Sequence, residues 1–399
     1  MPCKASILFA IHYLELGGAE MSLIGLLDAL DYTKYDVDLF VYSHRGELME
    51  LIPPQVHLLP EIPEYAQIER PMKDVLKDGY LKILFARLKA KLDFTQYCHK
   101  THPQDGNAIF SYVAKNVTPL LPLIHPDKEY DLAISYLAPH DIVLKKVKAK
   151  KKVCWVHTDY TKVDVDTELE LPVWSGFDSI AAVSEAVSHA FLTRFPSLKD
   201  RMVVIPNRIS EELVQTRAKA FDVSEEMPKE AGIVRLLSVG RFTAAKNFDN
   251  VPDICRRIVR AGINVRWYLI GYGGDEALIK QRITENGMED YVILLGKKTN
   301  PYPYIKACDI YVQPSRYEGS PVTVREAIAL GKPVVVTSFP TVQSVIRDGI
   351  DGILVPMDND GCAEGILRFI RIDGVYFRLD ASPFAAENKT ALAKFYELV

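Results

Sequence analysis

The most informative stretch of this sequence is Tyr317-Glu318-Gly319-Ser320-Pro321-Val322-Thr323-Val324-Arg325-Glu326-Ala327. The stretch follows an apolar run of strand length, turns at Gly319 and takes helical spacing near Pro321. Proline suits the first turn of a helix, because its missing N–H is not needed there. The free N–H groups that follow, including those of Val322 and Thr323, point out of the helix start and predict an anion site beside Ser320.

Two carboxylates lie on this predicted anion site, Glu318 before the helix and Glu326 within it. Carboxylates beside an anion site suit a ligand that also offers hydroxyl groups, as a nucleotide-sugar does on its ribose and its sugar ring. Surface carboxylates near a helix start are also common without any function. On its own, the stretch leaves both interpretations open.

A second polar cluster, Val239–Asn247, is predicted at the carboxyl end of a strand. Arg241 and Lys246 stand five residues apart in it, and a guanidinium fork with an ammonium point charge suits a diphosphate. In sugar transfer the diphosphate is the leaving group, so fixed cations favour the transition state over the ground state. Solvated loop cations are the alternative.

Strand-length apolar runs alternate with helix-period segments on both sides of these clusters, which predicts an α/β fold of two doubly wound, Rossmann-like domains with a ligand cleft. We expect domains at residues 1–210 and 211–380, a polar linker within 210–232, and a carboxyl-terminal helix at 381–399 that packs back towards the first domain. Predicted strands are Ser6–Ile11, Val37–Tyr42, Leu132–Tyr136, Val153–Val156, Ser179–Val183, Val234–Val239, Val265–Ile270, Val292–Leu295, Ile310–Gln313 and Pro333–Thr337.

Net charge, cysteine spacing and the lengths of apolar segments bear on the class of protein and its location. The net charge of -4 gives no general reason to expect a nucleic-acid partner. The six cysteines are scattered without metal-ligand spacing, which favours reduced core thiols. We find no secretory signal and no apolar stretch near the ~18–20 residues of a membrane span, so a cytoplasmic location is expected.

Three D-x-D motifs, Asp36–Asp38, Asp164–Asp166 and Asp358–Asp360, match a motif that binds metal ions in some other enzymes. None lies beside the predicted phosphate cations, so chance is the favoured interpretation. Because Arg241, Lys246 and the helix start can hold a diphosphate, we predict that no metal is needed.

The predicted first domain carries an insertion in which apolar and basic residues recur with helical spacing at 71–100, and Lys145–Lys152 places six lysines in eight residues. A basic amphipathic helix can lie on an anionic membrane surface, and a peripheral location would suit a lipid-linked acceptor. An ordinary packed helix with a solvated face has the same pattern. The sequence leaves both open.

Taken together and in order, these motifs resemble the family 4 retaining glycosyltransferases of the GT-B fold. The resemblance covers nearly the whole chain, least well at 71–125. It rests on Glu318 and Glu326 as an E-x7-E pair, Arg241 and Lys246 as an R-x4-K pair, the loop Gly17-Gly18-Ala19-Glu20, the segment Ile205-Pro206-Asn207, and the turn Gly271-Tyr272-Gly273 beside the nucleotide base.

The resemblance implies a role for each matching residue. Arg241 and Lys246 would hold the phosphates, Glu326 the ribose, and Glu318 the transferred sugar. Gly17 and Gly18 would close over the diphosphate from the other domain, with Asn207 near the domain junction. His157, or else His12, would approach the sugar ring.

It also implies the reaction: retaining transfer from a nucleotide-sugar, expected to be a UDP-sugar, to a sugar or lipid-linked glycan acceptor in bacterial polysaccharide or glycolipid assembly. Two departures stand out, since Ser320-Pro321 replace a common second glycine and Arg208 follows Asn207 in place of glycine. A non-catalytic sugar- or partner-binding relative is an alternative. A dinucleotide-dependent oxidoreductase is disfavoured, because no G-x-G-x-x-G follows the first strand of either half.

Overall fold

The computed structural model describes residues 4–103, 105–371 and 382–399, which form two compact units. Unit 1 contains Met1–Arg208 and Lys389–Val399, and unit 2 contains Ile209–Asn388. Each unit is built on one parallel β-sheet with helices in its crossovers. The predicted α/β class with two Rossmann-like domains is therefore confirmed.

Unit 1 holds a seven-stranded parallel sheet in the order β3-β2-β1-β4-β5-β6-β7. Its central strands are apolar on both faces because helices cover them, and Ile7 to Ile11 of β1 are fully buried. The strands are β1 Ala5–Ile11, β2 Tyr35–Val41, β3 His57–Leu58, β4 Tyr130–Ser135, β5 Ala149–Val156, β6 Ser179–Ala182 and β7 Met202–Val204. The helices are α1 Gly18–Leu27, α2 Pro63–Ala66, α3 Met72–Lys77, α4 Leu81–Thr101, α5 Ile109–Val117, α6 Asp141–Lys146, α7 Thr167–Trp174 and α8 Glu185–Arg194.

Unit 2 holds a six-stranded parallel sheet in the order β10-β9-β8-β11-β12-β13. Its core lies between this sheet and three helices, with Trp267 and Ile254 fully buried. The strands are β8 Val234–Val239, β9 Val265–Ile270, β10 Val292–Gly296, β11 Ile310–Gln313, β12 Val334–Thr337 and β13 Ile353–Val355. The helices are α9 Glu211–Arg217, α10 Val251–Arg260, α11 Glu276–Asn286, α12 Tyr302–Ala307, α13 Val322–Ala329, α14 Asn359–Arg371 and α15 Ser382–Tyr396.

The last helix ends in unit 1. The ring of Phe395 stacks on Phe9 with centroids 5.8 Å apart, and Tyr396 stacks on Tyr35 at 5.0 Å. The Lys394 ammonium donates to the Val204 carbonyl at 2.9 Å. The end of α15 therefore packs on the parallel sheet of unit 1.

The polar segment predicted as a linker, 210–232, is partly helical. Ser210 caps α9 by accepting the Leu213 N–H, and Val214 is buried beneath that helix. The sequence shows no strong apolar period because the helix has only two turns and Val214 is its one buried side chain. The segment belongs to unit 2, which begins at Ile209.

The described cysteines are all free thiols. Four described cysteines are buried free thiols, Cys98 is a half-buried one, and Cys3 lies outside the described residues. Within the described ranges, no helix combines the length and apolarity that crossing a membrane requires.

Candidate functional site

The centre of the candidate site in unit 2 is an ion pair between Lys246 and Glu318, whose ammonium and carboxylate lie 2.6 Å apart. The two residues are 72 positions apart in sequence, but Lys246 follows β8, Glu318 follows β11, and these strands are neighbours in the sheet. Both side chains are more than four-fifths buried. The pair therefore lies at the carboxyl edge of a parallel sheet, where such folds place ligands.

Two further groups fix the Glu318 carboxylate. The Ser315 hydroxyl donates to it at 2.6 Å and the Gln313 amide at 3.0 Å. The Gln313 carbonyl oxygen in turn accepts the Tyr311 hydroxyl at 2.8 Å, and the Gln313 and Ser315 side chains are fully buried. A buried, satisfied network of this kind holds a side chain in one position.

Glycines bring the Arg241 loop against the neighbouring turn. A Cβ on Gly271 would lie 1.9 Å from the Gly240 carbonyl oxygen, and one on Gly273 would lie 2.3 Å from the Phe242 carbonyl oxygen. The Phe242 N–H donates to the Tyr272 carbonyl at 2.8 Å. Gly271 is thus required for close backbone packing that positions the loop, a structural role beside the nucleotide contact that the resemblance implies.

The same loop carries both predicted phosphate cations. The Arg241 side chain is exposed at its start, and Lys246 ends a short 3₁₀ turn, Ala244–Lys246. Asn247 then takes a left-handed conformation with φ 61° while its amide donates to the Pro314 carbonyl at 2.9 Å. Since asparagine tolerates that conformation better than most residues, Asn247 can end the turn and tie the loop to the strand that carries Glu318.

Helix α13 begins beside Glu318 as the sequence predicts, with Pro321 as its N-cap residue and Val322 as its first residue. The Val322 side chain is buried, whereas Ser320 and Thr323 are half-buried. No side chain caps the first turn of α13. Its leading N–H groups are therefore those that an anion could satisfy.

Glu326 lies deeper in unit 2, with 3% of its surface exposed. The Tyr302 hydroxyl donates to its carboxylate at 2.8 Å. Burial raises the pKa of Glu326 to about 7, and the Tyr302 hydrogen bond opposes that rise. Glu326 therefore titrates near neutral pH, which the sequence motif does not indicate.

In unit 1, the predicted glycine loop forms the start of α1. Gly17 is the N-cap residue, and a Cβ there would lie 2.0 Å from a carboxylate oxygen of Glu20, which is buried. The chain before Gly18 thus leaves room for Glu20 to fold back over the helix start. The position of Glu20 explains structurally why residue 17 is a glycine, in addition to the predicted contact with a diphosphate.

Asn207 and His157 lie at the ends of one buried network. The Asn207 side-chain oxygen accepts the Ser22 hydroxyl at 2.9 Å, and Ser22 accepts the Tyr136 hydroxyl at 3.0 Å. The ring of His157 lies against Tyr136 with centroids 4.8 Å apart. Arg208, for which the sequence offers no role, donates to the Gly25 carbonyl at 2.5 Å and so holds the end of α1.

His157 is half-buried, but both of its ring nitrogens are buried, and neither forms a hydrogen bond of normal geometry with the described residues. Burial lowers the pKa of His157 to about 4, against a smaller opposing effect of the Tyr136 backbone. His157 is therefore neutral at physiological pH and can either donate or accept a hydrogen bond. His12, the other candidate, lies with Nδ1 3.2 Å from the Ala138 carbonyl oxygen.

A cavity of about 280 Å³ opens in unit 1 beside the ends of β4 and β5. Within it, Glu170 accepts hydrogen bonds from the Ser111 hydroxyl at 2.7 Å and the Trp174 indole at 3.1 Å. Burial raises the pKa of Glu170. Aromatic rings together with carboxylates, as at Trp174, Tyr160 and Asp141, are typical of sites for polar ligands with apolar faces.

The D-x-D carboxylates have structural partners. Asp38 pairs with Lys128 at 3.0 Å, Asp166 caps α7, and Asp358 accepts the Gly361 N–H. Among the described residues, no group of three or more His, Cys, Asp or Glu side chains could hold a metal ion. The prediction that the site needs no metal stays a prediction.

The structure thus brings Lys246, Glu318 and the start of α13 together. Sequence reasoning missed Gln313, Ser315 and Tyr302. Gln313 is polar at the end of an apolar strand, a signal that could have identified it. Tyr302 carries no such signal, because buried tyrosines are common in cores.

Known proteins are similar to this chain in sequence and in structure. Residues 223–380 match the sequence profile of the glycosyl transferases group 1 family. The amylovoran biosynthesis glycosyltransferase AmsK of Erwinia amylovora is 34% identical over 131 residues, 31% of this chain and 32% of that protein. The putative colanic acid biosynthesis glycosyltransferase WcaL of Salmonella typhimurium is 30% identical over 151 residues, 35% of this chain and 37% of that protein.

The matches therefore span about a third of these relatives. Over almost the full length, the chain is structurally similar to Anabaena HepE, solved in complex with UDP and glucose. The TM-score is 0.67 at 16% identity, and the likeness covers 98% of this chain and 100% of that one. The 223–380 segment therefore resembles the glycosyl transferases group 1 family, and by its architecture the chain has the GT-B fold.

Proposed function

We propose that this chain is a retaining glycosyltransferase, which moves a sugar from a nucleotide diphosphate donor to a hydroxyl of an acceptor. The observation that carries the proposal is the contact of Lys246 with Glu318, set beside an uncapped helix start. A cation, a carboxylate and free N–H groups suit a ligand that is both an anion and a polyol.

The phosphate end of the donor is assigned to Arg241, Lys246 and the start of α13. Glu318 holds Lys246 in the free protein, but an ammonium has three donors, so Lys246 can meet a phosphate oxygen without leaving Glu318. The Ser315 and Gln313 donors keep the Glu318 carboxylate in place meanwhile. Fixed charges of this kind stabilise the diphosphate as its negative charge grows during bond breaking.

The nucleotide end is assigned to Glu326, with Gly271 beside the base. Its buried carboxylate can accept ribose hydroxyls in place of, or together with, the Tyr302 hydroxyl. The structural relative HepE is solved with UDP and glucose, which favours a UDP-sugar as donor. We assign the acceptor sugar to the unit 1 cavity beside Glu170, where hydroxyl-binding groups border aromatic rings.

We infer a same-face displacement. The bond from the anomeric carbon to the phosphate oxygen breaks while a bond to the acceptor oxygen forms on the same face, and the departing phosphate oxygen takes the acceptor proton. His157, neutral because its pKa lies at about 4, is assigned to hydrogen-bond the transferred sugar rather than to carry a charge. Gly17 and Gly18 are assigned to the diphosphate.

The relatives AmsK and WcaL are named for amylovoran and colanic acid biosynthesis. By analogy we propose that the acceptor here is a sugar of a growing bacterial polysaccharide, free or linked to a lipid. A lipid-linked acceptor would bring the enzyme to the cytoplasmic face of a membrane.

The test is nucleoside diphosphate release from a panel of nucleotide-sugars, with and without sugar acceptors, by the purified chain and by Lys246→Ala. We expect the wild-type chain to release nucleoside diphosphate from at least one UDP-sugar, and Lys246→Ala to do so about 10²–10³-fold more slowly. If a UDP-sugar raises the unfolding temperature but no donor is ever turned over, the chain is a non-catalytic binding relative. If no nucleotide-sugar raises the unfolding temperature and none is turned over, the assignment of the donor site is wrong.

A further inference from the structure

Helix α4, Leu81–Thr101, is apolar on its solvent side as well as on its packed side. Ile83 and Ala90 are buried, and Phe94 and Tyr97 contact the ring of Tyr112 on α5. These residues form the packed face. The periodic apolar residues seen in the sequence, however, do not lie on it.

The solvent side carries a stripe of four large apolar side chains, which we name the α4 stripe. They recur at i, i+4, i+7 and i+11, so they lie on one face over about 16 Å of helix. Their exposed fractions are 49%, 66%, 42% and 65% for Leu81, Phe85, Leu88 and Leu92. With Leu76 of α3, also exposed, they make up five of the twelve large exposed apolar side chains of the described chain.

Lysines border the α4 stripe. At 100° per residue, Lys82 and Lys89 lie on one side of the stripe and Lys91 on the other. All three are exposed, and none forms an ion pair with the described residues. Between residues 71 and 103 the chain has seven Lys and Arg against three Asp, although its net charge overall is -4.

The second lysine-rich segment, Lys145–Lys152, differs. Lys145 pairs with Asp141, Lys150 pairs with Asp131 at 2.7 Å, and Lys148 donates to a backbone carbonyl. Those lysines already have partners within unit 1. The free cations of the insertion are therefore concentrated beside exposed apolar side chains on α4.

We propose that the α4 stripe docks on an anionic lipid bilayer. An amphipathic helix with large apolar side chains between lysines lies in the interface of such a membrane, its apolar face among the acyl chains and its ammonium groups at the headgroup phosphates. A second copy of this chain would bring its own lysines to the same face, and their mutual repulsion disfavours that occupant. The proposal concerns a surface of unit 1 and holds whichever sugar is transferred.

The test is flotation of the full chain with vesicles of equal parts phosphatidylglycerol and phosphatidylcholine, and with vesicles of phosphatidylcholine alone. We expect recovery with the anionic vesicles at low salt, loss at high salt because counterions screen the lysines, and little recovery with the neutral vesicles. Failure of the wild-type protein to float with the anionic vesicles would overturn the proposal.

Two double variants separate the two contributions. Phe85→Gln with Leu92→Gln should lower partitioning at least about tenfold, since two large apolar side chains no longer enter the lipid. Lys82→Gln with Lys89→Gln should lower it by about fivefold for each lysine, and only on anionic vesicles. Leu278→Gln on α11, an exposed apolar residue of unit 2, is the matched control and should float like the wild type.

These variants should fold, because the substituted side chains are exposed and glutamine favours helix. An unchanged unfolding temperature and an unchanged response to UDP check this, and they keep a failure of docking distinct from a failure of the donor site. If Phe85→Gln with Leu92→Gln floats as well as the wild type, the proposal is wrong. It is also wrong if the wild type is a dimer in solution and this variant is a monomer.

Discussion

The Lys246 ammonium lies 2.6 Å from the Glu318 carboxylate, and Ser315 and Gln313 donate to the same carboxylate. The relationship joins two sequence motifs that lie 72 residues apart. It also gives Glu318 a definite task in the free protein, which is to fix the position of Lys246.

Lys246→Ala should abolish the rise in unfolding temperature caused by UDP, and lower donor turnover by about 10²–10³-fold, because a preorganised charge at the diphosphate is lost. Arg241→Ala should have a similar effect. The measurements are thermal shift and nucleoside diphosphate release. Lys280→Ala, which removes an exposed cation of α11, is the control and should behave as wild type. Equal UDP responses in Lys246→Ala and Lys280→Ala would contradict the assignment.

Gln313→Met should lower turnover by about tenfold while the protein remains folded. It removes a donor to Glu318 at similar side-chain volume, and each lost buried hydrogen bond costs about 1–3 kcal/mol of unfolding free energy. Ser238→Ala is the matched control, since Ser238 is also fully buried and hydrogen-bonded, to the Val312 carbonyl and the Trp267 indole. Both variants should lose stability, and only Gln313→Met should lose activity per folded molecule. Equal activities would mean that the network is merely structural.

The stability of unit 2 should depend on the protonation of Glu326. Its pKa is about 7 in the folded chain against a usual value of 4.5, so the folded state binds more protons than the unfolded state between these values. The contribution of Glu326 to the free energy of unfolding should therefore be complete below pH 4.5. It should fall, by up to about 3 kcal/mol, as the pH rises towards 7. Glu326→Gln should remove this part of the pH dependence in thermal unfolding.

Tyr302→Phe tests the same carboxylate from its partner's side. It removes the hydrogen bond that stabilises the charged form, so the pKa of Glu326 should rise further and the loss of stability should extend to higher pH. Tyr304→Phe, which changes the neighbouring hydroxyl bound to Glu226, provides the control. A pH profile identical for the two variants would argue against the assigned coupling.

UDP binding near pH 7 should release protons. If ribose hydroxyls donate to Glu326, the bound state favours the carboxylate, and the protonated fraction must lose its proton. Calorimetry in buffers of different ionisation enthalpy measures this number, and Glu326→Gln should abolish it. Proton uptake, or release unaffected by Glu326→Gln, would place the ribose elsewhere.

Sequence alone could predict the two-domain α/β fold, because the alternation of apolar runs is strong in both halves. It could also predict that Arg241, Lys246 and the 318–326 segment lie at strand ends. It could not predict the contact of Lys246 with Glu318, which depends on β8 and β11 being neighbours in the sheet.

The burial of individual side chains also could not be predicted from the sequence. The spacing of Leu81, Phe85, Leu88 and Leu92 predicts one face of α4, but periodicity cannot say whether that face is packed or exposed. The pKa of Glu326 likewise depends on the side chains that surround it in the fold. The helix within 210–232 is too short for its apolar period to be visible in the sequence.

The proposed retention of configuration is tested most directly by the anomeric configuration of the transferred sugar. Proton NMR of the product formed from an α-linked UDP-sugar reports it from the coupling of the anomeric proton, with Lys246→Ala as the control. We expect an α-linked product from the wild-type enzyme, formed about 10²–10³-fold more slowly by the variant. A β-linked product, or an α-linked product formed equally well without Lys246, would contradict the proposal.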